Sequence, residues 1–194
     1  MTPAYDDWLQ RLRFDAREVL SSLPCEDAAL ASHRADFLHF LKVHDDAMSR
    51  ECAAGHLTAS ALIVDADATR VLLTLHPKVG LWLQTGGHCE ATDASVRAAA
   101  LREAREESGI IDLALSVFPA QLDRHTINCR PGVVLDHLDV QFVAVAGNDS
   151  TAYISDESLD LQWFAFDDLP RTIDASTRSL VARARVLVEE GEFV

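Results

Sequence analysis

The stretch from residue 86 to residue 110 reads GGHCEATDASVRAAALREAREESGI, and its second half has the composition of a helix. Glu103, Glu106 and Glu107 are spaced i, i+3 and i+4, so their side chains project from one helix face. Three neighbouring carboxylates repel one another, and a hard divalent cation such as magnesium, which prefers oxygen ligands, would neutralise them. The spacing therefore predicts a carboxylate metal site on a helix. The alternative is a solvated acidic face paired with Arg102 and Arg105.

The pattern around the glutamates resembles the Nudix box, G-x5-E-x7-R-E-U-x-E-E-x-G-U, where U is an aliphatic residue. Gly87 opens the pattern, and residues 102–110 match its second half. Two features differ: Asp93 replaces the usual glutamate, and eight residues rather than seven separate it from Arg102. Ala104 is also small for the aliphatic position. We expect the extra residue to be absorbed in the loop or first helical turn, which leaves Asp93 a scaffolding role.

The resemblance implies a role for each matched residue. The implied metal ligands are the backbone carbonyl of Gly86 and the carboxylates of Glu103, Glu106 and Glu107. The implied cofactor is Mg2+, with Mn2+ able to substitute, and Glu103 is either a further ligand or a general base. Arg102 would hold a carboxylate in place by a charge-assisted hydrogen bond.

In several family members the general base lies on a later loop. The candidate here is Glu157, in the segment Ser155-Asp156-Glu157-Ser158, and Asp156 is its rival. The catalytic residues that the resemblance implies are therefore Glu157 and the three glutamates of the helix. An exposed loop acid without a catalytic role is the alternative for Glu157.

Two further groups of polar residues are candidates for substrate binding. His76 and Lys78 stand just upstream of the box, where they could approach phosphate or belong to a surface loop. Alternation along a predicted strand places His137 and Asp139 on one face, with Leu138 on the other. The first face lines the substrate cleft or is an ordinary solvated sheet face.

The apolar periodicity predicts an α+β fold, an α/β/α sandwich, and the resemblance implies the mixed sheet of Nudix proteins. Residues 1–55 are predicted to form an N-terminal helical extension and residues 56–194 the Nudix hydrolase domain. A helix over about 94–108 is expected to be capped by Thr92 or Asp93 and closed by Gly109. A final helix is predicted over 175–190, and a turn over 128–132. Strands are predicted at 58–64, 70–75, 82–84, 113–118, 133–146 and 161–166.

Composition and charge exclude several other classes of protein. With 17 basic and 31 acidic residues the formal charge is −14, which disfavours binding to a nucleic-acid duplex and requires cations beside any anionic substrate. The sequence contains no run of 18 apolar residues, so it predicts no membrane span. The acidic N-terminus argues against a secretory signal, and we therefore expect a cytoplasmic location. The four cysteines form no metal-binding pattern. The N-terminal helical pair is compatible with a homodimer.

These features predict a magnesium-dependent hydrolase that cleaves the diphosphate linkage of a nucleoside diphosphate derivative or a similar metabolite, by attack of water at phosphorus. A non-catalytic Nudix-fold module that senses a nucleotide metabolite is the main alternative, although such proteins often lose glutamates that are all present here. An isomerase acting on isopentenyl diphosphate is a third reading. It needs a cysteine and glutamate pair in the cleft, and the surroundings of Cys89 and Cys129 do not match that family.

Overall fold

The computed structural model describes residues 3–25, 27–130, 133–156, 158–191 and 193–194, and for residues 3–6, 127–130 and 133–134 it describes the backbone alone. Four helices are present: α1 Pro3–Ser22, α2 Ala28–Val43, α3 Val96–Ser108 and α4 Ala175–Glu190. The strands are β1 Gly55–Val64, β2 Arg70–Leu75, β3 Trp82–Leu83, β4 Thr85–His88, β5 Leu113–Leu115, β6 Gln121–Arg130, β7 Val133–Ala146 and β8 Leu161–Ala165. Within the described ranges, every helix is too short or too polar to cross a bilayer.

The strands form one sheet with the order β3-β2-β1-β7-β5, in which β4 pairs with β1, β6 with β7, and β8 with β2. The pairs that β2 makes with β1, β3 and β8 are antiparallel, and so is the pair of β5 with β7. A parallel bridge joins Trp82 to Ile173. The predicted α+β fold with a mixed sheet is confirmed.

Contacts between residues divide the chain into two compact units. The first comprises Met1–Ala59, His88–Ala99 and Leu122–Val140, and the second comprises Ser60–Gly87, Ala100–Gln121 and Gln141–Val194. The N-terminal helices therefore cluster with parts of the later sequence. The predicted boundary between an extension over 1–55 and a domain over 56–194 stays a prediction.

The second unit has an apolar core between α4 and the strands. Leu180, Val181 and Ala184 of α4 are at most 3% exposed and pack against buried strand residues. The strand side of this core consists of Leu62, Val64, Val71, Leu73, Ala120 and Val143. Asp174 caps the N-terminus of α4 by accepting a hydrogen bond from the Thr177 amide at 2.7 Å.

In the first unit, α1 holds the segment that leads into α3. The Arg11 guanidinium donates to the carbonyls of Asp93 and Ala91 at 2.6 and 2.9 Å. The Asp15 carboxylate accepts from the Val96 amide at 2.7 Å, at the first residue of α3. Burial raises the pKa of Asp15, while the Val96 hydrogen bond and the Arg11 charge act in the opposite direction. The N-terminal extension therefore fixes the loop that contains the extra residue.

The capping prediction for α3 is wrong. The helix begins at Val96 rather than near Ala94, and Ser95 accepts from the Ala98 amide at 3.0 Å, which is the geometry of an N-cap. The Asp93 carboxylate instead accepts from the Glu90 amide at 2.7 Å and closes a turn in the preceding loop. Asp93 thus has the scaffolding role that the sequence analysis gave it.

The sequence analysis also missed β6. Its residues QLDRHTINCR are largely polar and lack an apolar alternation, so no strand was predicted there. The turn predicted over 128–132 is wrong in its first three residues, because β6 extends to Arg130. Pro131 and Gly132 lie outside the described residues.

Candidate active site

The three glutamates of α3 differ in their exposure to solvent. Glu103 is buried, Glu107 is half-buried and the Glu106 side chain is 58% exposed. Ala99, Ala100 and Ala104 are fully buried, because their small side chains let this side of the helix pack closely. Solvent exposure of the carboxylates along this side of α3 therefore increases from Glu103 to Glu107 to Glu106.

Arg102 joins two of the three carboxylates. Its Nη1 donates to Oε1 of Glu103 and to Oε2 of Glu106, each at 2.9 Å. The Arg102 side chain is only 20% exposed, so it holds its two partners in a partly desolvated position. One nitrogen of Arg102 thus serves two glutamates, and the positioning role of Arg102 stays a prediction.

Gly86 and Gly87, which precede α3 in the sequence, lie close to the carboxylates of Glu107 and Glu103. The Gly86 amide donates to Oε2 of Glu107 at 3.2 Å. A β-carbon built on Gly87 would stand 2.7 Å from Oε1 of Glu103, which is closer than side chains approach one another. Gly87 is therefore needed for close approach of the Glu103 carboxylate. The sequence-predicted residues Gly86, Arg102 and the three glutamates are brought together.

The C-terminus of α3 is joined to the segment that carries Asp156. Gly109 has φ +69°, and its amide donates to the Arg105 carbonyl at 2.8 Å, which ends the helix as predicted. The Tyr153 amide donates to the Ser108 carbonyl at 2.7 Å. Asp156 follows three residues later, and Glu157, the predicted base, lies outside the described residues.

His76 and Lys78 lie in a tight turn after β2. The Gly80 amide donates to the His76 carbonyl at 2.9 Å, and the Lys78 amide lies 3.3 Å from Nδ1 of His76. Burial lowers the pKa of His76, and the Lys78 charge lowers it further. The residue before His76, Leu75, exchanges hydrogen bonds with Leu159 and Asp160 at 3.0 and 2.8 Å. This turn therefore adjoins the end of the segment that contains Asp156.

His137 and Asp139 lie on β7 in a buried, polar environment. The Asp139 carboxylate is 4% exposed and accepts from Thr58 Oγ1 of β1 at 3.0 Å. The His137 ring lies 4.7 Å from that of His56, centroid to centroid. The alternative of a solvated sheet face is wrong for Asp139, which is buried, whereas His137 is half-buried. A cleft-lining role stays a prediction.

The His137 ring has three histidine neighbours, two of which the sequence analysis did not consider. His56 and His88 lie on β1 and β4, and His125 on β6. Burial lowers the pKa of His137 to about 3, with further lowering by the charges of His56, His88 and His125. The alternation of His56 and Thr58 at the start of β1 was the available sign in the sequence.

The oxygen donors around α3 fit magnesium. Its ligands in proteins are typically one or two carboxylates together with substrate phosphates, and Glu103, Glu106 and Glu107 supply three carboxylates on a rigid element. Hydrogen bonds from Arg102 hold two of them in place. The arrangement is therefore suited to holding a hard cation beside a polyanionic substrate.

Comparison with known proteins gives a consistent result. A family model described as the NUDIX domain matches residues 55–184. A NUDIX-family hydrolase from Clostridium perfringens is 25% identical, with 69% of this chain and 97% of that chain covered and a TM-score of 0.55. The E. coli dihydroneopterin triphosphate pyrophosphohydrolase is 19% identical, with 68% and 95% covered and a TM-score of 0.56.

A third similar structure is the NUDIX domain of Shewanella oneidensis NrtR in complex with ADP ribose. It is 22% identical, with 77% of this chain and 97% of that chain covered and a TM-score of 0.52. Comparison with curated proteins finds no match.

Proposed function

This chain belongs to the NUDIX family, and we propose that it is a magnesium-dependent hydrolase that cleaves the diphosphate linkage of a nucleoside diphosphate derivative or a similar metabolite. Family membership supports an acid anhydride hydrolase in general, and the metal, the substrate class and the residue roles belong to our proposal. One observation supports this proposal most directly, a cluster of hydrogen bonds around the glutamates. Arg102 donates to both Glu103 and Glu106, and the Gly86 amide donates to Glu107.

The proposed metal ligands are the carboxylates of Glu103, Glu106 and Glu107 and the carbonyl of Gly86. When bound, Mg2+ (or Mn2+ in its place) would neutralise charge on the phosphoryl oxygens and lower the pKa of a coordinated water. The protein supplies ligands at fixed separations on one helix, so little reorganisation is needed when substrate arrives. The overall charge of −14 makes such cations necessary for a polyanionic substrate.

Arg102 and Gly87 act by positioning the ligands. Arg102 orients Glu103 and Glu106 by hydrogen bonds, and the missing β-carbon of Gly87 leaves room for the Glu103 carboxylate. The hydrogen bond from Arg102 fixes the direction of the Glu103 carboxylate, as a metal ligand requires. We therefore favour the ligand role for Glu103.

We propose that the general base comes from the segment after Tyr153. The hydrogen bond from the Tyr153 amide to the Ser108 carbonyl ties this segment to the end of the metal-binding helix. Glu157 is our candidate, with Asp156 as its rival. The base accepts a proton from the attacking water, and the bond between phosphorus and the bridging oxygen breaks.

His76 and Lys78 are the proposed phosphate contacts. The turn that holds them exposes the Lys78 side chain and adjoins the segment before β8. The earlier assignment of His137 and Asp139 to substrate binding stays a prediction, and the bond of Asp139 to Thr58 favours a structural task for the carboxylate.

The proposal is tested with purified protein, Mg2+ and a panel of diphosphate metabolites, with the products identified by mass spectrometry. We expect at least one nucleoside diphosphate derivative to be split into two phosphate-containing products, and chelation of the metal to stop the reaction. Water labelled with 18O identifies the phosphorus that is attacked. Tight binding of a nucleotide metabolite without turnover would overturn the proposal in favour of a sensor.

A further inference from the structure

Four histidines from four strands lie together in the first unit. His56 lies on β1, His88 on β4, His137 on β7 and His125 on β6. The ring centroid of His56 is 4.9 Å from that of His88 and 4.7 Å from that of His137, and His88 and His137 are 5.3 Å apart. Three imidazoles thus face one another across strands that are far apart in sequence.

Three ring nitrogens in this cluster, on His56 and His137, are buried without hydrogen-bond partners. His56 is 2% exposed, and both its Nδ1 and its Nε2 lack a partner, as does the buried Nε2 of His137. These three are the buried side-chain atoms without a partner among the residues that the structure describes. A buried polar group without a partner is destabilising, so these nitrogens point to a bound ligand that supplies one.

We infer that His56, His88 and His137 form a binding site for one transition-metal ion of the zinc type, separate from the proposed magnesium ligands. One nitrogen from each ring lies within 4.8 Å of the other two. In a tetrahedral zinc site with Zn–N of about 2.1 Å, two donor nitrogens stand roughly 3.4 Å apart. Small movements of the rings therefore complete the site, and one nitrogen each of His56 and His137 obtains a partner.

The ligand chemistry selects this class of metal. Imidazole nitrogen suits Zn2+, Cu2+, Fe2+ and Ni2+, whereas Mg2+ prefers oxygen. Metal binding requires the neutral imidazole. Burial lowers the pKa of His56, with a further contribution from the Arg50 charge, and the pKa of His137 is also lowered, which is the direction that metal binding by imidazole requires.

The surroundings of the three rings are consistent with an open metal site. His88 and His137 are half-buried, so the site has access to solvent and a fourth position can hold water. His125 stands 5.5 Å from His137, with its Nδ1 2.7 Å from the Asp123 carboxylate.

A second group of three donors, His44, Asp46 and Cys52, is less suited to a metal. Burial raises the pKa of the Cys52 thiol to about 11, with smaller contributions from Asp46, so the thiolate that a metal requires is disfavoured. In the zinc-binding experiment that follows, the Cys52→Ala substitution removes the thiol from this second group of donors.

The experiment uses the full chain carrying Glu106→Gln, Glu107→Gln and Cys52→Ala, so that two of the three proposed carboxylate ligands and the Cys52 thiol cannot bind the probe metal. Chelator-treated protein is titrated with Zn2+ by calorimetry and with Co2+ by visible absorption, which reports coordination geometry. The site variant adds His88→Gln, which keeps a polar side chain at a half-buried position. The matched control adds His39→Ala, at an exposed position on α2.

We expect one equivalent of Zn2+, a Co2+ spectrum of low coordination number, and a rise in Tm with Zn2+. The His88→Gln variant should bind Zn2+ at least about 100-fold more weakly, since even groups that only orient a ligand contribute 10–100-fold, and the His39→Ala control should be unchanged. His56→Ala, checked for folding by circular dichroism, should behave like His88→Gln. Absence of Zn2+ binding in the parent, or equal affinity in the His88→Gln variant, would overturn the inference.

Discussion

The Glu103 carboxylate lies directly against the α-carbon of Gly87, where a β-carbon would stand 2.7 Å from Oε1 and 2.8 Å from Oε2. The glycine that opens the box and the first glutamate of the helix are therefore one structural unit, although 16 positions separate them in the sequence. Any side chain at 87 must displace a proposed metal ligand.

Gly87→Ala should lower kcat by about 10–100-fold while the protein stays folded, because it displaces Glu103 without removing it. Steady-state kinetics over a range of Mg2+ concentrations measure the effect. Gly191→Ala is the matched control: Gly191 caps α4 at φ +76° with nothing within 4 Å of the added methyl group. It should cost about 1 kcal/mol of stability and leave kcat unchanged. Equal kcat in both variants would disprove the positioning role.

Arg102→Ala should reduce kcat by about 10–100-fold, since it removes the bonds that orient Glu103 and Glu106. Arg105→Ala is the control on the same helix, because its guanidinium donates to the Ile111 carbonyl and to no glutamate in the hydrogen bonds described here. The comparison is made on activity and on the Mg2+ concentration for half-maximal rate. If Arg105→Ala had the larger effect, the role given to Arg102 would be wrong.

Arg11→Ala should destabilise the protein by about 1–2 kcal/mol, because two charge-assisted hydrogen bonds to the carbonyls of Ala91 and Asp93 are lost at a partly exposed position. Urea unfolding measures the change. Arg17→Ala, on the exposed surface of the same helix, should change the free energy of unfolding by less than about 0.5 kcal/mol. A smaller loss for Arg11→Ala than for Arg17→Ala would show that α1 does not hold this loop.

Asp65→Asn should lower stability at neutral pH by about 1–3 kcal/mol. Burial alone would raise the pKa of Asp65, but hydrogen bonds from the side chain and backbone of Arg70 and from Thr69 lower it below its ordinary value. Because the pKa of Asp65 is lower in the folded than in the unfolded protein, ionised Asp65 stabilises the fold. This stabilisation is present above the unfolded-state pKa of about 4 and is lost as the pH falls through the folded-state pKa.

The difference in unfolding free energy between wild type and Asp65→Asn should therefore be constant from about pH 6 to 8 and shrink below about pH 4. Asp67→Asn, at an exposed position in the same turn, is the control. A difference that grew on acidification would have the wrong sign for this account.

The features that could be predicted from the sequence are local. The i, i+3, i+4 spacing placed three glutamates on one side of α3, and Gly109 at its end has the left-handed conformation that its position implied. The apolar runs that became β1, β2 and β7 were also recognised, because buried strands need such residues wherever they pair.

The features that could not be predicted depend on residues distant in sequence. The first amide of α3 is satisfied by Asp15, 81 positions away, and the position of Gly87 against Glu103 appears only when strand and helix meet. β6 was missed because its polar residues carry no apolar period. The meeting of His56, His88 and His137 needs three strands, and the alternation of His56 and Thr58 in β1 was its one sign in the sequence.

The central claim is that the α3 carboxylates hold the catalytic metal, and the most direct test is turnover of Glu106→Gln and of Glu107→Gln with saturating Mg2+ on the best substrate of the panel. Glutamine keeps the size of the side chain and removes its charge, so circular dichroism should show an intact fold. We predict that kcat falls more than about 100-fold in each variant, beyond the range for a group that only orients a ligand. Full activity in both variants would contradict the account.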